Sequence, residues 1–126
     1  MARRRVTGWK LDPMDREQLL GRFKPLFPDV DADHVTLTTG TNGTTPLPRE
    51  TSGLVVGEID DAAGIQALVV SIGGTTGRSD GSTYHITWSL HRGKGRRPVE
   101  SNDVIRRLGW RVLPEPLPIR LVPGRF

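Results

Sequence analysis

Residues 82–90 read STYHITWSL, and the fold turns on them. The run is rich in β-branched and aromatic residues, which predicts a strand. Strand side chains alternate between faces, so Tyr84, Ile86, Trp88 and Leu90 are expected on one face and His85 and Thr87 on the other. A lone histidine on the polar face of a half-buried strand is most simply a solvated side chain. A second copy argues otherwise. In DHVTLTTG, residues 33–40, a histidine again stands two residues before a threonine, His34 and Thr36, with Val35 and Leu37 on the opposite face.

Around these two strings the sequence predicts more strands than helices. LDPMDREQLLGRF (11–23) starts a helix with Asp12 as N-cap, Pro13 in the first turn and an apolar stripe of Leu19, Leu20 and Phe23, and Pro25 is expected to end it. The β-branched runs LVVGEI (54–59) and IQALVVSI (65–72), joined by DDAAG, read as a hairpin. ESNDVIRRLG (100–109) offers Ser101 or Asn102 as a helix cap, apolar Val104, Ile105 and Leu108, and Gly109 as the stop. PIRLVPGRF (118–126) is a last strand. The expected order is helix, HxT strand, loop, strands, HxT strand, helix, strand.

A chain of 126 residues fits one domain with its own core. The absence of cysteine excludes disulfides, thiolate catalysis and zinc sites built on sulfur. No apolar run is long enough to span a membrane, and MARRRVTGWKL lacks the apolar middle of a secretory signal, so a cytoplasmic protein with no membrane partner is expected. There is no obligate protein partner to infer. Charge is uneven. Residues 1–61 carry eight basic and ten acidic side chains, whereas residues 62–126 carry ten basic and four acidic. HRGKGRRP (91–98), with Arg92, Lys94, Arg96 and Arg97, is the densest source of that excess, and is either a polyanion-attracting loop or a solvated one.

If the two HxT strands lie side by side, His34, Thr36, His85 and Thr87 face one cleft. Two histidines across a substrate can act as base and acid in one step, and two threonine hydroxyls suit the non-bridging oxygens of a phosphoryl group. Arg78, in the loop before the second strand, is the basic residue best placed to reach a phosphate or a base. Tyr84 is open to stacking on a base or to joining the core. His91, just past the strand, is open to facing the substrate or to sitting in an exposed loop. A three-histidine metal site from His34, His85 and His91 lacks any supporting ligand motif. No GxxxxGK[ST] loop and no GxSxG elbow are present.

HVTL and YHITWSL, with GWKLDP before a helix, VVGEIDD and PVESNDVI, resemble the HxTx signature of the two-histidine phosphoesterase superfamily, in its compact RNA-repair and tRNA-ligase cyclic phosphodiesterase branch. The resemblance implies an α+β, bilobal fold with antiparallel sheets around a central cleft, few outer helices, and a single domain over residues 1–126. It implies a hydrolase that uses no cofactor or metal, with His34 and His85 as the acid/base pair and Thr36 and Thr87 binding the phosphate. The implied partner is an RNA with a 2′,3′-cyclic phosphate end or a small cyclic nucleotide. The alternative from another class is a non-catalytic RNA-binding module using the same basic cleft. Two histidines at matched spacing favour the enzyme, since arginine or lysine would serve binding alone better.

Overall fold

The computed structural model describes residues 5–126, so the first four residues of MARRRVTGWKL, the stretch expected to lack a secretory signal, lie outside the described residues. Its elements run β1 (Val6–Leu11), α1 (Pro13–Arg22), β2 (Asp29–Val30), β3 (His34–Thr39), β4 (Ser52–Asp60), β5 (Ile65–Ser71), β6 (His85–Leu90), a short 3₁₀ turn (Arg92–Lys94), α2 (Glu100–Leu108) and β7 (Arg111–Arg125). The strands form one antiparallel sheet in the order β2-β6-β5-β4-β7-β1-β3, and with two helices the architecture is α+β. Among the described residues no helix is long and apolar enough to cross a membrane.

The predicted hairpin is present: β4 and β5 pair antiparallel from Leu54↔Ser71 to Asp60↔Gln66. The carboxylate of Asp61 shapes its turn by accepting from the backbone N–H groups of Ala63 and Ile65. The first helix also starts as expected, with Asp12 Oδ2 accepting from the backbone N–H groups of Met14 and Asp15 at 3.1 Å each. The second helix differs. Its N-cap is Val99, whose hydrocarbon side chain can make no capping bond, while Ser101 is turned inward and fully buried. Gly109 does end it, at φ 70, a conformation that suits glycine.

Three strands exceed expectation. β1 and the two-residue β2 were not anticipated, and β7 is 15 residues long rather than a short terminal piece. β7 changes partner along its length, pairing β4 up to Arg120 and β1 from Leu121 to Arg125. Its ladder to β4 jumps from Val55↔Leu117 to Gly57↔Val112. Pro114 and Pro116, which have no N–H to give a ladder, fall in the stretch that loops out at this jump.

Residues 29–39 join the two ends of the strand order. Asp29 and Val30 pair with Leu90 and Ser89 of β6, and the N–H groups of Asp31 and Ala32 donate to the carbonyls of Trp88 and Thr87. Two residues later His34 pairs with Lys10 of β1. The turn between these partners falls at Ala32, buried and held at φ 50, so the sheet closes on itself there. The HxT strands, expected side by side from the sequence, are therefore not hydrogen-bonded neighbours: β3 pairs with β1 and β6 with β5. They are brought together by the short stretch that leaves β6 for β1.

Two buried clusters occupy the two faces of the sheet. Trp9, Leu19, Val35, Leu68, Val70, Tyr84, Ile86 and Trp88 belong to the first, and Ile65, Ala67, Val69, Leu90, Val104 and Ile105 to the second. Leu90 thus leaves the face it was expected to share with Ile86 and Trp88. A bulge explains the switch: Gln66↔Ser89 is followed by Ala67↔Thr87, which inserts Trp88 as an extra residue and reverses the alternation.

Candidate active site

The odd-numbered face of β6 holds His85 and Thr87 opposite Val69 and Ala67 of β5, on the side that α2 covers. The even-numbered residues of β3, His34 and Thr36, reach the same place from the closing stretch. All four line one open cavity of about 250 Å³, together with Val6, Thr39, Arg78, Pro98, Val99 and Asn102.

The two imidazoles differ in setting. His85 Nδ1 lies 2.8 Å from the carbonyl oxygen of Thr83. A carbonyl only accepts, so Nδ1 carries the hydrogen and Nε2 is the nitrogen left for chemistry. Burial drives the His85 pKa below its ordinary value, outweighing the hydrogen bond to Thr83, and the positive charges of Arg78 and His34 push the same way. The ring is therefore neutral at pH 7, as a general base requires. His34 instead places Nδ1 3.1 Å from Asp33 Oδ2, which also accepts from Lys10 Nζ at 2.5 Å. Burial raises the Asp33 carboxyl, but the hydrogen bond and charge of Lys10, with those of His34, hold it below the usual carboxylate range. His34 thus stands beside a carboxylate that it shares with Lys10, with Phe126 edge-on to its ring at 4.9 Å.

The threonines differ as well. Thr87 Oγ1 donates to the Pro98 carbonyl at 3.2 Å and lies 2.9 Å from Ser101 Oγ. Thr36 is only partly buried at the cavity wall.

Arg78 lines the cavity although it is only 9% exposed. Its Nη2 donates to Asp80 Oδ2 at 2.7 Å, and Asp80 in turn accepts from the N–H and hydroxyl of Ser82. Those two bonds from Ser82 are the largest influence holding the Asp80 carboxyl low. The Nε of Arg78 is buried with no hydrogen-bond partner among the described residues.

Tyr84 and His91 are placed elsewhere. Tyr84 is buried in the first cluster, edge-on to Trp9 at 5.7 Å, so it joins the core instead of stacking in the cavity. His91 caps the 3₁₀ turn beyond the far end of β6, about 20 Å along the strand from His85 by strand geometry, and does not line the cavity. Among the described residues no group of three or more His, Cys, Asp or Glu could hold a metal ion. The basic loop is also divided. Arg92, Lys94 and Arg97 are exposed, whereas Arg96 is tied to Asp61 at 2.7 Å and Glu100 at 2.6 Å.

Asp33, Ser101 and Asn102 were not anticipated at the site. Asp33 was legible in principle, since it directly precedes His34. The other two were read only as helix caps. No protein-family model, no curated protein and no solved structure matches the chain.

Proposed function

We propose that the protein is a metal-independent phosphoesterase of the two-histidine kind, which hydrolyses a cyclic or 2′-linked phosphodiester of an RNA end or a small nucleotide. The observation that carries this reading is the single cavity shared by both His–Thr pairs and Arg78. In hydrolysis of a 2′,3′-cyclic phosphate, neutral His85 takes a proton from water through Nε2 while the water oxygen bonds to phosphorus. The bond from phosphorus to one ribose oxygen breaks, and protonated His34 delivers its proton to that leaving oxygen. Asp33 steadies the positive ring of His34 before transfer. Arg78 and the two threonine hydroxyls offset charge on the non-bridging oxygens.

The setting of each ring supports this order of roles, His85 as base and His34 as acid. The compartment consistent with this substrate is the cytoplasm. The deciding experiment offers 2′,3′-cyclic mononucleotides, an RNA with a cyclic phosphate end and a 2′-5′ dinucleotide, and follows products by phosphorus NMR. Turnover of at least one, unaffected by EDTA, supports the proposal. Binding of RNA without turnover of any would support the RNA-binding module instead.

A further inference from the structure

We infer that Ser101 is a positioning residue that fixes Thr87 as a hydrogen-bond donor to the phosphate; this rests on the phosphoesterase reading above. A hydroxyl has one hydrogen to give and can accept two. Ser101 is fully buried, and the only partner of its Oγ among the described residues is Thr87 Oγ1 at 2.9 Å. Thr87 Oγ1 also lies 3.2 Å from the Pro98 carbonyl, which can only accept. One arrangement satisfies all three groups: Ser101 donates to Thr87, and Thr87 donates to Pro98. The reverse leaves the Ser101 hydrogen bonded to nothing in a dry site, and sets the Thr87 oxygen against a carbonyl oxygen.

The arrangement makes the Thr87 hydrogen transferable. The Pro98 carbonyl also accepts from the backbone N–H of Ser101 at 3.1 Å, so it keeps a partner when Thr87 turns away. An anionic oxygen in the cavity is a stronger acceptor than that carbonyl, and Thr87 turns to it without leaving a buried group unpaired. Meanwhile Ser101 continues to donate to Thr87. A hydroxyl that accepts a hydrogen bond becomes a better donor, so Ser101 both directs and strengthens the contact with phosphate. Ser101 itself touches no ligand. It reaches the reaction only through Thr87, from the first turn of α2, which Val104 and Ile105 anchor in the second cluster.

The test is a double-mutant cycle of Ser101→Ala and Thr87→Val, read as kcat on the best cyclic phosphate, with Tm recorded for each variant. Ser101→Ala alone should lower kcat about fivefold to tenfold. In the Thr87→Val background it should have no further effect, because the group it positions is gone. An equal loss in both backgrounds means Ser101 only supports the fold, and no loss in either means Thr87 needs no orientation; either result overturns the inference. If the wild type turns over no phosphoester, the phosphoesterase reading falls, and the same cycle is read by calorimetry on binding of a nucleoside 2′-monophosphate. Coupling between the two sites there still upholds Ser101, and independent effects or absent binding overturn it.

Discussion

His85 Nδ1 is 2.8 Å from the carbonyl oxygen of Thr83, yet burial still holds the ring's pKa below its ordinary 6.5. The unfolded chain therefore binds more protons than the folded one as pH falls below about 6.5. This contribution to stability is present above that pH and is lost as pH falls through it towards the folded value. Between pH 7 and pH 5, His85→Gln should lose less stability than the wild type in urea unfolding. Equal losses would show that His85 does not titrate abnormally.

His34 and Asp33 give a second test. Asp33→Asn removes the charge beside His34 and leaves Lys10 without its carboxylate partner. Under the proposed mechanism turnover should fall at least roughly tenfold, since His34 would lose the carboxylate beside its Nδ1. An unchanged kcat would mean that Asp33 serves only the β1–β3 pairing.

The position of His34 was half legible in the sequence. Alternation placed His34 with Thr36 and His85 with Thr87 on polar faces, and the caps Asp12 and Gly109 were readable from local chemistry. What joins the two pairs was not. The turn at Ala32 uses a residue with no turn signature, and the bulge at Trp88 depends on the register of β5, which lies elsewhere in the chain. β1 escaped because Gly8 and Lys10 break its apolar pattern. β7 was cut short because Pro114 and Pro116 interrupt its first half, although they sit where the ladder loops out. Ser101 was read as a cap from its neighbours in sequence, while its actual partner lies across space on β6.

Gly8 tests the seat of β3. A Cβ at this position would come within 2.2 Å of the Val35 carbonyl oxygen. Gly8→Ala should force β1 and β3 apart at a cost of about 1–3 kcal/mol, as overpacking does, and shift His34 with its strand. Reduced turnover together with the lower urea midpoint is expected. A variant as stable as the wild type would contradict the close approach.

Arg96 and Arg97 separate structure from ligand attraction. Arg96→Ala breaks the pairs with Asp61 and Glu100 and the bond to the Ala63 carbonyl, and should lower Tm by roughly 5 °C. Arg97→Ala, at an exposed position, should leave Tm unchanged and weaken binding of an RNA substrate more at low salt than at high salt. Cyclic mononucleotide turnover should be the same in Arg97→Ala as in the wild type. A loss there would place Arg97 in the site itself.

In the proposed mechanism His34 and His85 act on one phosphate from its two sides. The most direct measurement is hydrolysis of a 2′,3′-cyclic nucleotide in EDTA by the wild type, His34→Ala and His85→Ala, each shown to be folded by circular dichroism. Turnover by the wild type is expected, with a loss of roughly 100-fold or more in each variant and product still bound by both. Full activity in either folded variant, or wild-type activity that EDTA abolishes and zinc or magnesium restores, would contradict it.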